Sequence, residues 1–326
     1  MTRNLAALFL LTIILLTHTP SVNAQQTQEK FIQQTDYLLS LPDTYNQDTS
    51  QRWPLILFLH GSGESGHDVE KVKTHGPPKL VAAGKKFPFI IVSPQCPDAR
   101  IAWESNTLYR LLQDIKAKYR VDPDRVYLTG LSMGGFGSWD LGMKHPEEFA
   151  AVVPICGGGD TTDLWKLRNM PVWCFHGALD NVVPLARSQT MVDALKHYNP
   201  DVRFTVYPDA YHNSWEVTYN NDSLYTWLLS QKRFRYTRTK SDPKILKSYT
   251  GKYTNDVKDS IELFVQNDSL KCRVHNNVFE FQPAAGGGVF FMAPGSPESV
   301  VFTQEGKRKG FLFYGGDKKM FFRKYQ

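Results

Sequence analysis

The 326-residue sequence predicts an α/β fold: a mostly parallel sheet with helices on both faces, followed by a small all-β domain. Three observations carry this. Short apolar runs alternate with helix-spaced segments over the first two thirds of the chain, as in sheets whose crossovers are helices. Gly130-Leu131-Ser132-Met133-Gly134 stands between a strand-like and a helix-like run. After about residue 249 the helical periodicity stops and short strand-like runs separated by turns take over.

Composition is that of a water-soluble globular protein, with 41% hydrophobic and 21% charged residues and a net charge of +6. The basic residues gather in Lys232–Lys247 and Lys307–Lys324. They read as solvated faces, because no nucleic-acid-binding motif accompanies them. Arg3 precedes the apolar stretch Leu5–Leu16, which is too short to span a bilayer. A polar segment ending Val22-Asn23-Ala24 follows, which is the form of a cleavable signal peptide over residues 1–24. The expectation is a secreted or periplasmic mature chain without a membrane span. Cys96, Cys156, Cys174 and Cys272 lie in apolar or strand-like surroundings and read as buried thiols, with one bridge open in an oxidising compartment.

The organisation that follows is a catalytic domain over 25–235, a linker over 236–248 and an antiparallel β domain over 249–326. Phe31–Leu41 reads as an edge strand. Trp53–Leu59 is apolar throughout, so both faces of that strand are covered. It runs into the glycine turn His60-Gly61-Ser62-Gly63. A second buried strand, Phe89–Ser93, leads to a loop carrying Gln95 and Trp103. Leu108, Leu111, Leu112, Ile115 and Tyr119 form one helical stripe. Arg125–Leu128 is the strand before the pentapeptide, and a helix runs from Phe136 to Lys144, stopped by His145-Pro146. Strands follow at Phe149–Ile155, Val172–His176 and Arg203–Tyr207. Helices are expected near Leu185–His197 and Asn221–Ser230. The tail offers eight strand-like runs, with turns at Asn267-Asp268 and Gly315-Gly316, and suggests a sandwich or a barrel-like meander.

Gly-x-Ser-x-Gly between strand and helix is the sequence form of a nucleophile elbow, in which a tight turn presents the serine hydroxyl above the sheet edge. A serine is a weak nucleophile until a histidine takes its proton, and an acid must hold that histidine. Ser132, Asp180 and His212 follow three different strands, where such sheets gather function, and they occur in the order Ser–Asp–His. His176 is the rival base. Asp160 and Asp163 are alternative acids, and Asp209 reads as a turn residue. The oxyanion needs two backbone donors. These are assigned to Met133 and Ser62, with Gly61 or Gly63 as alternatives to Ser62. Glu64, Gln95, Trp103 and Trp215 are candidate substrate contacts, with support of the oxyanion loop an equal reading for Glu64 and Gln95, and Trp165 could join an aromatic rim. Cores and interfaces use such tryptophans equally well.

The stretches Leu57–Glu64, Ser93–Cys96, Val126–Gly135, His176–Asp180 with Val183-Pro184, and Tyr207–Trp215 together resemble the α/β-hydrolase superfamily. The likeness is to esterases of the dienelactone-hydrolase, feruloyl-esterase and polyhydroxyalkanoate-depolymerase-like groups. It covers residues 31–231, and Tyr211 stands where many relatives have glycine before the histidine. The resemblance implies a carboxylesterase acting through an acyl-enzyme on a small-molecule or polysaccharide-linked ester, such as acetyl or feruloyl groups. A serine peptidase of the same fold, or a non-catalytic carbohydrate-binding protein working through its β domain, are the other readings. Only Gly157–Pro171 separates the strand after the elbow from the acid strand, too little for a lid domain. No metal cluster or nucleotide loop is visible in the sequence, so no cofactor and no metal are expected.

Overall fold

A computed structural model describes residues 35–100, 102–285, 287–293, 298–306 and 308–325. The segment read as a signal peptide, residues 1–24, lies outside these. Strand β1 (Tyr37–Ser40) and β2 (Trp53–Leu59) open the sheet. Helix α1 (Gly76–Ala82), β3 (Ile90–Pro94), α2 (Ser105–Lys118), β4 (Val121–Leu131) and α3 (Met133–Lys144) follow. The sheet is completed by β5 (Ala151–Ile155), β6 (Trp173–Gly177), α4 (Ala186–Lys196) and β7 (Arg203–Tyr207), with α5 (Trp215–Tyr219) and α6 (Asp222–Ser230) packed behind it. Strand order is β1-β3-β2-β4-β5-β6-β7. β1 runs antiparallel to β3, and the other pairs are parallel.

All seven residues of β2 are buried, as an unbroken apolar run requires. Its alternation splits the core in two. Leu55, Leu57 and Leu59 meet α2, α3 and α4 through Ile115, Trp139 and Met191. Ile56 and Phe58 meet the other layer through Tyr219 and Leu224. The apolar stripe expected on α2 is the buried one, with Leu108, Leu111, Leu112 and Ile115 inside.

The structure corrects several local expectations. The first strand is confined to Tyr37–Ser40 among the described residues. β4 begins at Val121, so Asp122-Pro123-Asp124 lies inside a strand. A register shift against β2 absorbs these residues there. α3 starts at Met133, because helix geometry resumes directly after the serine. Helix α5 was not expected. Residues 236–248 are not a free tether. Tyr236 stacks on Phe291 with centroids 5.3 Å apart, Thr239 N donates to Pro283 O, and helix α7 (Pro243–Ser248) is capped by Asp242 and buries Leu246.

The tail is a closed eight-stranded antiparallel barrel, neither open nor a sandwich. Its strands are β8 (Gly251–Thr254), β9 (Ser260–Gln266), β10 (Ser269–Val274), β11 (Asn277–Pro283), β12 (Val289–Phe291), β13 (Ser299–Glu305), β14 (Arg308–Gly315) and β15 (Lys318–Lys324). Each pairs with the next, and β15 closes on β8. Closure removes the exposed edges an open meander would have. Its inward positions carry Tyr253, Leu263, Phe281, Phe290 and Phe311, all buried, so side chains fill the interior. The barrel rests on the sheet domain through Trp165 against Tyr314, Lys166 paired with Asp317 at 2.8 Å and Arg168 donating to Ser299 Oγ.

Phe311 is fully buried and packs on Tyr253, Phe302 and Phe322. Phe311→Ala is expected to destabilise the barrel by about 3–5 kcal/mol through lost burial and a residual cavity. Urea denaturation will show this as an earlier barrel transition.

Candidate active site

The site is built on the turn between β4 and α3. Ser132 sits at φ 51°, ψ −117°, a strained conformation for a residue with a side chain. Close approach of three chains imposes it. A Cβ on Gly130 would lie 2.4 Å from Gly134 O, and one on Gly134 would lie 2.0 Å from Leu59 O. Both flanking positions therefore have to be glycine. Ser132 N donates to Ile155 O at 3.0 Å, and Phe136 N donates to Ser132 O. The turn is thus tied to β5 on one side and to α3 on the other.

Two loops bring partners to the hydroxyl. Ser132 Oγ lies 2.9 Å from His212 Nε2, and His212 Nδ1 lies 2.8 Å from Asp180 Oδ2. The neutral tautomer with its proton on Nδ1 donates to the carboxylate and leaves Nε2 to accept from the serine. Asp180 Oδ1 accepts from Val182 N and Val183 N at 2.9 Å each. Burial alone would raise its pKa, but the His212 bond and these two amides outweigh burial and hold it below the usual carboxylate range. The histidine loop is clamped to the acid loop. Leu179 N donates to Ala210 O, and any Cβ on Gly177 would lie 2.3 Å from the carbonyls of Ala210 and Tyr211. Trp215 stands edge-on to His212, centroids 5.1 Å apart.

His176 takes no part as a base. It is fully buried, donates Nε2–H to Val183 O at 2.9 Å, lies 3.1 Å from Asp180 Oδ2, and sets Nδ1 2.7 Å from Ser188 Oγ. Burial lowers its pKa. It braces the acid loop. Asp160 binds Thr162 and Asp163 pairs with Lys166, so neither reaches His212.

Ser62 opens the one-turn helix Ser62–Glu64, and Met133 opens α3. Amides at these first positions have no acceptor within their own helix, and both residues border one open cavity of about 710 Å³ beside the serine. Phe136, Asp140 and Trp103 continue the cavity's wall.

The proposed substrate contacts need correction. Glu64 is buried, and its Oε2 accepts from Gly61 N at 2.8 Å. Burial raises its pKa, opposed by His75, whose Nε2 is 3.7 Å away. Gln95 is buried and donates to the carbonyls of Glu64 and Asp68. Both shape the glycine loop from behind, the supporting one of their two readings. Trp215 is buried between His212 and His75. Trp165 is an interface residue against the barrel. Of the tryptophans suggested for a rim, Trp103 alone borders the cavity, with its Nε1 donating to His60 O at 3.2 Å. Sequence reasoning missed Phe136 and Asp140. Their signal was the outer face of α3, where positions 133, 136, 137, 140 and 144 line up one above another.

His60 is fully buried and holds the glycine loop to its neighbour. Nδ1 bonds Gly61 O at 2.5 Å, and Nε2 accepts from Cys96 N at 2.9 Å. Burial pushes its pKa down to about 4. All four cysteines are free and buried. Cys156, Asp180 and His212 have ligand atoms within 4.8 Å of one another. Burial pushes the Cys156 thiol up to about 12, and Asp180 and His212 are bonded to each other. No helix among the described residues is long and apolar enough to cross a membrane.

A nucleophile elbow on a mostly parallel sheet, with acid and base on the loops after β6 and β7, defines the α/β-hydrolase fold. Within it, residues 101–223 match the model of the dienelactone hydrolase family. The chain is 26% identical over 181 residues to the bifunctional acetylxylan esterase/xylanase XynS20E of Neocallimastix patriciarum, covering 53% of this chain and 26% of that one. It is 27% identical over 129 residues to the Aspergillus terreus protein named "Probable feruloyl esterase C", covering 38% of this chain and 46% of that one. The chain thus spans less than half the length of either curated relative. A solved thermostable esterase superposes with a TM-score of 0.53 at 32% identity, over 60% of this chain and 59% of that one.

The depressed pKa of His60 fixes a pH dependence of stability. Its folded value of about 4 lies below the unfolded value near 6.5. The unfolded chain therefore binds more protons between these limits, and stability is full above about 6.5 and falls as pH drops toward 4. This one group is expected to contribute up to about 3 kcal/mol across that window. Denaturant melts between pH 7 and 4 will show it, and His60→Gln will flatten the slope.

Proposed function

We propose that the protein is a secreted serine carboxylesterase that removes acyl groups from esters carried on polysaccharide. The observation that supports this above all is the unbroken chain Ser132 Oγ, His212 Nε2 and Nδ1, Asp180 Oδ2, with links of 2.9 and 2.8 Å. In this reading His212 takes the Ser132 proton as Oγ attacks the ester carbon, and Asp180 stabilises the imidazolium formed. The carbonyl oxygen becomes an oxyanion held by the Ser62 and Met133 amides, donors already in place before charge develops. Collapse breaks the bond to the alcohol, which leaves with the proton from His212. Water, activated by His212, then cleaves the acyl-enzyme and frees Ser132.

Ester chemistry is supported by the family of the matched region and by the acetylxylan and feruloyl esterases among the relatives. Openness supports a bulky carrier. Gly157–Pro171 carries one short turn, Leu164–Leu167, and the cavity beside Ser132 opens to solvent. Secretion rests on the signal-like residues 1–24. The filled barrel interior supports a stabilising or substrate-facing role for that domain over a ligand-enclosing one.

A fluorophosphonate probe is expected to label the wild type and not Ser132→Ala. Absence of labelling together with no cleavage of p-nitrophenyl acetate would sink the enzyme reading. Faster turnover of peptide p-nitroanilides than of acetylated xylan or methyl ferulate would replace it with the peptidase. Asp180→Asn keeps the shape of the site but removes the charge and favours the wrong tautomer, so kcat on p-nitrophenyl acetate is expected to fall by about 10⁴-fold.

A further inference from the structure

The cavity that starts at Ser62 and Met133 is a groove along α3. Phe136, Gly137, Asp140, Met143 and Lys144 form one of its walls, and these positions recur at the three- and four-residue spacing of a single helix face. From Met133 to Lys144 the helix rises about 16 Å. Exposed Ala99 and Ala102, with the edge of Trp103, face it from the loop after β3. At its far end Met143 and Lys144 also border a second cavity of about 200 Å³, whose other walls include Trp165, Tyr314 and Asp317. The barrel's β14–β15 turn therefore stands at the end of a path that begins beside the nucleophile.

Which part of an ester enters this path follows from the catalytic geometry, and so rests on the esterase reading. The carbon bonded to Ser132 Oγ has three other substituents. The oxyanion points to the Ser62 and Met133 amides. The alcohol oxygen must reach His212 Nε2, because that nitrogen gives it the proton. The remaining substituent is the chain of the acid. The groove borders Ser62 and Met133, the residue next to Ser132, and none of Ser132, His212 and Tyr211 belongs to its walls. The alcohol thus leaves on the His212 side, where Tyr211 is 56% and Leu179 46% exposed. The acid chain is left with the groove.

We propose that the α3 groove is the acyl subsite, that it takes an extended acyl group longer than acetyl, and that the barrel turn bounds its far end. The lining fits a mainly apolar chain with a polar end. Met133, Phe136 and Trp103 stand near the serine. Farther on, Asp140 Oδ2 pairs with Lys144 at 2.7 Å, and beyond them lies Asp317, 94% exposed at its side chain. Arg100 is paired with Asp98, and Asp160 adds a further carboxylate to the lining, so the groove offers no pull on an anionic acyl group.

The test uses the full chain and p-nitrophenyl acetate, octanoate and dodecanoate. Wild type is expected to prefer the longer esters in kcat/KM. Ala102→Trp, which fills the near groove, should lower the octanoate-to-acetate ratio of kcat/KM at least about tenfold, the scale on which lost apolar pocket contacts discriminate substrates. Lys144→Trp, which fills the junction with the barrel, should lower the dodecanoate-to-octanoate ratio and leave the octanoate-to-acetate ratio near wild type. Ala99→Trp, on the same exposed wall, repeats the first measurement should Ala102→Trp not fold. Ratios within twofold of wild type in the near-groove variants overturn the acyl assignment. A junction variant that lowers both ratios alike, or neither, overturns the barrel boundary. Failure of the wild type to cleave any ester would instead strike the esterase reading. Binding of sodium dodecanoate, followed by quenching of tryptophan fluorescence and weakened in Ala102→Trp, would then still report on the groove.

Discussion

Three chains are squeezed together at Ser132. The end of β2 passes so close to the first turn of α3 that no Cβ fits at Gly134, and α3 lies so close to β4 that none fits at Gly130. The serine between them is left at positive φ, at a cost of order 1–3 kcal/mol that the surrounding packing has to offset. It does so with a fully buried β2, with Trp139 of α3 sealed in the core, and with the Ser132 N to Ile155 O bond. The same compression fixes the direction of Oγ, starts α3 at Met133, and brings the glycine loop after β2 beside the nucleophile.

Around this turn the buried polar groups act as braces. Glu64 holds the Gly61 amide, Gln95 holds the carbonyls behind it, and His60 spans from Gly61 to Cys96. On the other side His176 and the Val182 and Val183 amides hold Asp180, while Trp215 stands against His212. His60, Glu64 and His176 are buried and bonded to partners of fixed geometry, which in the esterase reading limits the rearrangement needed when charge forms at the carbonyl oxygen. A neutral His60 suits this role, because protonation of Nε2 would oppose the Cys96 amide that points at it.

The barrel adds a second packed body whose role is decided at its surface. Its interior is aromatic and full, so what it offers to chemistry is the β14–β15 turn and the contacts of Tyr314 and Asp317 with Trp165 and Lys166. This turn borders the same cavity as Met143 and Lys144 at the C-terminal end of α3. That placement links a domain of no evident catalytic content to the path leading from the nucleophile.

Much of this was legible in the sequence because it is local. The apolar β2 run, the glycines around Ser132, the eight strand-like runs of the tail and the order Ser132, Asp180, His212 are patterns of neighbouring residues and chain order, and the fold reads them out directly. What sequence left open depends on contacts between distant segments. Glu64, Gln95 and Trp215 look like polar and aromatic residues in site-facing loops, and only packing turns them inward as supports. Asp122-Pro123-Asp124 looks like a stop, yet pairing with β2 carries the strand through it. Whether the tail closed into a barrel depended on β15 meeting β8 across some seventy residues of chain, a loop-closure outcome no local pattern encodes. The sequence alone determined which groups could react and in what order they occur. The tertiary structure decided which face of α3 stays open and what stands at its end, because a groove belongs to the walls that happen to be neighbours in space.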